Sequence, residues 1–392
     1  MITDRLKNKD AERRVGIYVH VPFCLSKCHY CDFCSVCTKN DEKKQKYTDR
    51  LCQEICFVAQ RIRDTHGMTP TADTVYFGGG TPTLLEIGQL ENVINTVDRE
   101  FGIESGSEIT AEANPCTADE KKLRDMRSLG INRLSIGMQS AQNNELKILG
   151  RKHSFEDFVS FYNSARRTGF DNVSADLMYG IPEQTRESFA QSVKMLAELA
   201  PEHISSYCLT LEPNTRFYRN RDKLILPDED TVSDMYTDMS ELLEYRGYKK
   251  YEISNFANKD KESRHNLKYW QCDDYLGFGA AAHSYFDGVR FAHSRDVEGY
   301  IRGESIYEGV ENIDAAEAMQ EYVLLGMRLA KGIDVEEFER RFGADFYESF
   351  GRSLEKYAPE HVHIDKKTCR FTDKGMFVSN FILSDVLDFG ER

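Results

Sequence analysis

Six short runs rich in β-branched and aromatic residues punctuate the first 210 positions, at 16–22, 74–80, 108–115, 133–140, 172–180 and 203–210. Between them the apolar spacing changes to the i, i+3, i+4, i+7 of an amphipathic helix. Leu51, Ile55, Val58 and Ile62 follow it first, then Ile87, Leu90, Val93, Ile94, Val97 and Phe101, and later Phe189, Val193, Leu196 and Leu199. Alternating strands and helices predict parallel strands joined by right-handed crossovers. About six such units fill 16–250, fewer than the eight of a closed barrel, so the pattern fits a partial (β/α)6 barrel, with a doubly wound open sheet as the alternative.

In a parallel α/β barrel the chemistry gathers at the carboxyl ends of the strands. The unusual residues of this chain lie there: cysteines after the first run, Gly78-Gly79-Gly80 at the end of the second, Glu112 late in the third, Gln139 at the end of the fourth and Asp176 within the fifth. After Pro227 the pattern changes. An amphipathic helix is expected over 230–245, irregular aromatic chain over 251–310, and a smaller, mainly helical C-terminal domain over 311–392, with helices at 315–330 and 335–342 and short β-like runs such as Cys369-Arg370-Phe371-Thr372. Residues 1–15 read as a tail and 16–250 as the barrel.

The chain has 392 residues, 40% of them hydrophobic and 30% charged, enough apolar surface for a full core. Its net charge of −14 argues against a nucleic-acid-binding role, which needs clustered Lys and Arg. The stretch 275–286 is too short to cross a bilayer, and the charged start of the chain lacks the apolar core of a secretory signal, so a cytoplasmic location without a transmembrane segment is expected.

There are 11 cysteines, and five crowd into one loop: Cys24, Cys28, Cys31, Cys34 and Cys37. In a reducing compartment such a cluster reads as metal-binding or redox-active. Cys24-x3-Cys28-x2-Cys31 suits one face of a cubane iron–sulfur cluster with one iron left open. Two alternatives stand beside it: a zinc site built on Cys28-x2-Cys31 and Cys34-x2-Cys37, and a closed four-thiolate cluster over Cys28, Cys31, Cys34 and Cys37.

The run from Tyr18 through Cys24, Cys28 and Cys31 to Asp32-Phe33 resembles the radical S-adenosylmethionine (radical SAM) superfamily, in its oxygen-independent coproporphyrinogen III oxidase-like branch. The resemblance continues in Phe77-Gly-Gly-Gly-Thr-Pro82, Glu112-Ala-Asn-Pro115, Asn132-Arg-Leu-Ser-Ile-Gly-Met-Gln-Ser140, Leu149-Gly-Arg-Lys-His153, Asp176-Leu-Met-Tyr-Gly-Ile-Pro182, Tyr251-Glu-Ile-Ser-Asn255 and His265-Asn-Leu-Lys-Tyr-Trp270. It is dense over 16–290 and loose beyond.

The resemblance implies a radical SAM barrel in which Cys24, Cys28 and Cys31 bind a [4Fe–4S] cluster and SAM completes the shell of the open iron. One electron from the cluster then cleaves SAM to methionine and a 5′-deoxyadenosyl radical, with a reduced flavodoxin or ferredoxin as the implied donor. Gly79, Gly80 and Thr81 match the stretch that holds the methionine end of SAM. Glu112, Gln139, Arg151 and Asp176 match its polar contacts, and Tyr18 and Tyr30 match aromatic positions near the cluster. On the residues alone, a triple glycine is more often just a turn, and the charged groups read also as a salt-bridge network at the barrel mouth.

Oxidases of this branch carry a further cysteine two residues after the third ligand; here that position is Phe33. Asp32-Phe33 and His265-Asn266…Tyr269-Trp270 resemble instead the HemW-type heme chaperones, which deliver heme to apoproteins such as respiratory cytochromes. Heme needs an apolar slot and an axial ligand, for which His265 is the candidate. The competing reading has His265 hydrogen-bonded to neighbours while Tyr269 and Trp270 pack in the core. His20 reads as structural or near the cluster, His361 and His363 as a solvated face, and Cys34 and Cys37 stand outside the pattern as redox-sensitive thiols or heme ligands. The expected function is heme chaperoning, with coproporphyrinogen III dehydrogenase activity as the alternative.

Overall fold

A computed structural model describes residues 13–304 and 307–387, so most of the tail expected at 1–15 lies outside the described residues. Six parallel strands form the centre: β1 (Arg14–Val21), β2 (Thr71–Gly79), β3 (Ile103–Ala113), β4 (Arg133–Gln139), β5 (Val173–Tyr179) and β6 (His203–Cys208). The crossovers run through α1 (Asp41–His66), α2 (Ile87–Phe101), α3 (Glu120–Ser128), α4 (Asn143–Leu149) with α5 (Phe155–Arg167), and α6 (Arg186–Glu198); α7 (Glu229–Tyr245) follows β6. This is the partial α/β barrel expected from the pattern.

The helices start and stop where local chemistry tells them to. Asn40 and Asp119 cap α1 and α3, and reciprocal capping boxes open α2, α5 and α6 at Glu86/Gln89, Ser154/Asp157 and Thr185/Ser188. Gly67 ends α1 in the left-handed region. The apolar stripe of α2 (Leu90, Val93, Ile94, Val97) lies in one continuous core with Val75 and Phe77 of β2.

The strands are apolar on their outer face and polar on their inner one. Ile17, Val19, Val75, Phe77, Leu134, Ile136, Ala175 and Leu177 pack outward under the helices. Register places Tyr18, Tyr76, Thr110 and Arg133 in one inward row, and Glu112, Ser135, Ser174 and His203 in the next. A barrel meant only to be packed fills its interior with branched aliphatic side chains. This one keeps polar groups there and hydrogen-bonds some of them, Ser174 Oγ to His203 Nδ1 at 2.8 Å and His203 Nε2 to the Tyr251 hydroxyl at 2.8 Å, while Thr110 Oγ1 and Arg133 Nε are buried without a hydrogen-bond partner.

The segment 251–310, expected to be irregular, extends the sheet instead. After β7 (Lys249–Lys250) come β8 (Asn255–Ala257), α8 (Arg264–Trp270), β9 (Tyr275–Phe278), β10 (His283–Phe286) and β11 (Val289–His293), then β12 (Tyr307–Asn312). The sheet order is β12-β11-β10-β9-β1-β2-β3-β4-β5-β6-β8-β7, with β9 parallel to β1 and β8 antiparallel to β6. These runs are three to six residues long and interrupted by Gly277, Gly279 and Gly288, too short to carry a readable period.

Beyond Ala315 the chain builds a second core around Val323, Met327, Phe338, Phe346, Leu354 and Ile382. Helices Ala315–Gly326, Val335–Phe342 and Ser379–Val386 dominate it, beside a small antiparallel sheet of Ile333–Asp334, Thr368–Phe371 and Val362–Ile364. Among the described residues no helix is long and apolar enough to cross a membrane.

Candidate cluster and cofactor site

The cysteine loop leaves β1 at Pro22 and is tied off at its base. Residues 23–24 pair in parallel with 36–37, with Val36 N donating to Pro22 O at 2.7 Å and Thr38 N to Cys24 O at 3.2 Å. Its middle is pinned by His29. The His29 backbone N–H donates to Leu149 O at 2.9 Å, its ring meets Ile148 O at 2.9 Å and Arg216 Nη1 at 2.9 Å, and its carbonyl accepts from Phe217 N at 3.0 Å. Gly150 is needed beside it: its φ is +77°, and a Cβ there would lie 2.8 Å from the His29 ring.

Two of the three expected ligand thiols are joined by a continuous hydrogen-bonded bridge. Thr81 Oγ1 donates to Cys24 Sγ at 3.9 Å and accepts from Asn114 Nδ2 at 2.9 Å. Asn114 Oδ1 accepts from Arg151 Nη2, which also reaches Gly137 O at 2.7 Å, and Arg151 Nη1 donates to Cys28 Sγ at 3.7 Å. Four loops from four strand ends therefore share one network. Cys31 closes the group, its N–H on Cys28 O at 3.4 Å. Burial pushes the Cys24 thiol up and the Cys31 thiol to about 11, so both await a cation to become thiolates. Among the described residues no three His, Cys, Asp or Glu side chains are gathered closely enough to hold a single ion. A cubane asks for a different arrangement, one thiolate on each of three iron corners.

The glycine run serves the protein's own packing as well as any ligand. Gly79 has φ +107°, and a Cβ on it would sit 2.4 Å from the His20 ring; one on Gly80 would sit 2.7 Å from Phe23 O. Gly79 N donates to Glu112 Oε2 at 3.0 Å, and the Tyr76 hydroxyl to Glu112 Oε1 at 2.9 Å. Ser135 Oγ donates to Asp176 at 3.1 Å. Burial, then the neighbouring Asp176 carboxylate, lifts Glu112 to about 7, and burial lifts Asp176 to about 6. A cation beside these two buried carboxyls would favour their charged forms. Gln139 ends β4 with φ +68°, a left-handed conformation unfavourable for a residue with a Cβ. A Cβ on Gly137 would meet Gln139 Nε2 at 2.9 Å and Arg151 Nη2 at 3.0 Å, so that glycine leaves room for both.

Tyr30 is packed with Leu149, Met178, Ile181 and Phe217 behind the loop, and burial raises its hydroxyl. Tyr18 lines the barrel interior, stacked on Tyr76 at 6.1 Å between ring centres. It reaches the cysteine loop through His20: Tyr18 hydroxyl to His20 Nδ1 at 3.1 Å, then His20 Nε2 to Cys34 O at 2.8 Å.

His265 is not at this rim. It opens α8, which plugs the opposite end of the barrel, with Arg264 N and His265 N donating to Glu108 at 3.1 and 3.2 Å. The His265 ring is bonded on both sides, Nδ1 to Thr74 Oγ1 at 2.8 Å and Nε2 to the Tyr269 hydroxyl at 2.8 Å, and burial holds its value down at about 3. His361 and His363 lie in the C-terminal unit, where His363 meets Asp365. Asn114, Gly137, Ser135 and Tyr76 belong to the site although sequence reasoning gave them no role. Asn114, Ser135 and Gly137 sat unassigned in quoted motifs, and Tyr76 betrays itself only by facing inward beside Tyr18.

The Radical SAM superfamily profile matches residues 18–196 and the HemN C-terminal domain profile residues 313–378. The chain is 33% identical over 379 residues to the heme chaperone HemW of Bacillus subtilis, covering 94% of this chain and 98% of that one. It is 35% identical over 330 residues to the heme chaperone HemW of Haemophilus influenzae, covering 83% and 85%. Among solved structures, the coproporphyrinogen III oxidase HemN of Escherichia coli, described as a radical SAM enzyme, matches with a TM-score of 0.82 at 25% identity over 97% of this chain and 92% of that one.

Proposed function

This chain belongs to the radical SAM superfamily and, within it, to the family of the HemW proteins, and from that premise we propose that it is a heme chaperone whose [4Fe–4S] cluster and SAM occupy the barrel rim. The observation that carries the reading is the bridge from Cys24 through Thr81, Asn114 and Arg151 to Cys28. It fixes two thiols from one loop against three other strand ends, which a flexible surface loop would not need.

The residues fit the implied groups. Cys24, Cys28 and Cys31 supply three soft anionic donors. A Cβ on Gly78 would lie 2.9–3.1 Å from Tyr76, Tyr18 and Glu112, so the glycine lets those side chains lie close against the strand end. When bound, the cluster and SAM supply one-electron chemistry. The chain's own residues do the rest. Glu112 and Asp176 accept from the cationic groups of SAM, and Arg151 pairs with its carboxylate while steadying Cys28. Gln139 and Thr81 fill the remaining polar contacts. The inner barrel wall is polar and α8 closes the floor, so entry is from the rim.

The chaperone reading is favoured over an oxidase by Phe33 at the position where the oxidases carry a further cysteine, and by the relatives' names. Heme acceptors such as respiratory cytochromes, a flavodoxin- or ferredoxin-type donor and a cytoplasmic site of action belong to the same reading. The likeness to HemN supports the second reading, oxidative decarboxylation of coproporphyrinogen. Anaerobic reconstitution followed by heme titration and a turnover assay separates them. Stoichiometric heme binding without protoporphyrinogen is the expected result; protoporphyrinogen formed with SAM and reductant would replace the chaperone by the oxidase.

A further inference from the structure

Cys34 and Cys37 are absorbed by neither reading, and the structure treats them differently. Cys34 Sγ turns away from the ligand thiols to Arg295 O at 3.3 Å. Cys37 is exposed and lies directly opposite Cys24 in the parallel pair that closes the loop. Directly opposed residues of neighbouring parallel strands point to the same face, with Cα atoms about 4.8 Å apart. That falls in the window of about 4.4–6.8 Å that a disulfide spans. The two thiols are within electrostatic reach of each other, and the pair is held by Val36 N on Pro22 O and Thr38 N on Cys24 O.

We propose that Cys24 and Cys37 are a disulfide-forming pair, in which oxidation withdraws Cys24 from iron and reduction returns it. The oxidant is a peroxide. The exposed Cys37 thiolate attacks one peroxide oxygen, the O–O bond breaks and a sulfenic acid forms with loss of water or alcohol. Cys24 sulfur then attacks the Cys37 sulfur, the S–O bond breaks and a second water leaves. Two thiols lose two electrons and two protons, which the peroxide takes up. A dithiol reverses the step by exchange. An iron bound to Cys24 occupies the attacking sulfur, so cluster and disulfide exclude each other. The inference rests on the proposed reading only in calling Cys24 a ligand; the pairing itself involves neither SAM nor heme.

The test uses the full chain, freed of iron, treated with stoichiometric hydrogen peroxide, alkylated and cut with trypsin and Asp-N. Cleavage after Lys27 and before Asp32 leaves Cys24, the pair Cys28 and Cys31, and the pair Cys34 and Cys37 on three different peptides. A cross-link between the first and third peptides is expected, lost with dithiothreitol, kept in Cys34→Ser and abolished in Cys37→Ser. In the reconstituted chain it should appear only as cluster absorbance and iron are lost. Cross-linking of Cys24 to the Cys28–Cys31 peptide, no cross-link, or a cross-link alongside a full iron count would overturn the proposal. Heme binding is unaffected by these outcomes, so the two readings fail separately.

Discussion

Arg151 is placed between the cysteine loop and the neighbouring strand ends. Its guanidinium reaches Cys28 sulfur, Asn114 and the Gly137 carbonyl from one rigid fork. Hydrogen bonds to cluster sulfurs are among the groups that set a cluster's potential. A donor stabilises the more negative, reduced state, so Arg151→Met should lower the midpoint in an anaerobic redox titration; an unchanged midpoint would remove the guanidinium from the cluster's surroundings. Asn114→Ala breaks the bridge in its middle and leaves a hydrogen bond to a charged group unmade, a loss of about 1.5–3 kcal/mol of stability by denaturant unfolding. Glu112 gives a pH dependence. Its value in the folded chain, about 7, stands above the ordinary 4.5, so the neutral form is favoured by folding. The cofactor-free chain therefore loses that contribution as pH rises from about 4.5 through 7. A cation favours the charged form, so SAM affinity rises with pH over the same range. Glu112→Gln should flatten both curves, measured by thermal unfolding and by equilibrium dialysis of the reconstituted chain.

At the scale of elements, the barrel is two patterns laid back to back. The strands β1 to β6 were legible because each run is rich in β-branched or aromatic residues, and a helical stripe could be read after four of them, β1, β2, β5 and β6. The candidate site residues stood out because they fall where those strands end. What stayed hidden has a physical cause. β8 to β11 are too brief for a period to accumulate, and their place in the sheet comes from pairing with β1 and β6 across long stretches of chain. The role of α8 as a floor was hidden for a similar reason: its anchors, Glu108 and Thr74, are far away in sequence. That floor gives a prediction. His265→Ala strands the Thr74 and Tyr269 hydroxyls, costing on the order of 3 kcal/mol, while heme titration of the folded variant retains its stoichiometry. Loss of the Soret band with stability unchanged would instead make His265 a heme ligand.

Taken as a whole molecule, the chain is a barrel closed at one end by α8 and open at the other, where the cysteine loop lies across the rim. The C-terminal unit docks on the end of α8 and on α7, with Arg341 donating to the carbonyls of Gln271 and Cys272 at 2.8 and 2.6 Å and Phe377 against Tyr236. Among the described residues it adds no hydrogen bond to the rim network of Cys24, Thr81, Asn114, Arg151 and Cys28. The ligand set inferred at that rim, three thiolates with one iron left open, underlies the proposed function. Electron paramagnetic resonance of the reduced, reconstituted chain, with and without SAM, tests this most directly when run on five single Cys→Ala variants. The account predicts that SAM changes the spectrum of the wild type, that Cys34→Ala and Cys37→Ala keep the cluster and the change, and that Cys24→Ala, Cys28→Ala and Cys31→Ala lose the cluster. A spectrum indifferent to SAM, or equal loss of iron in all five variants, would contradict it.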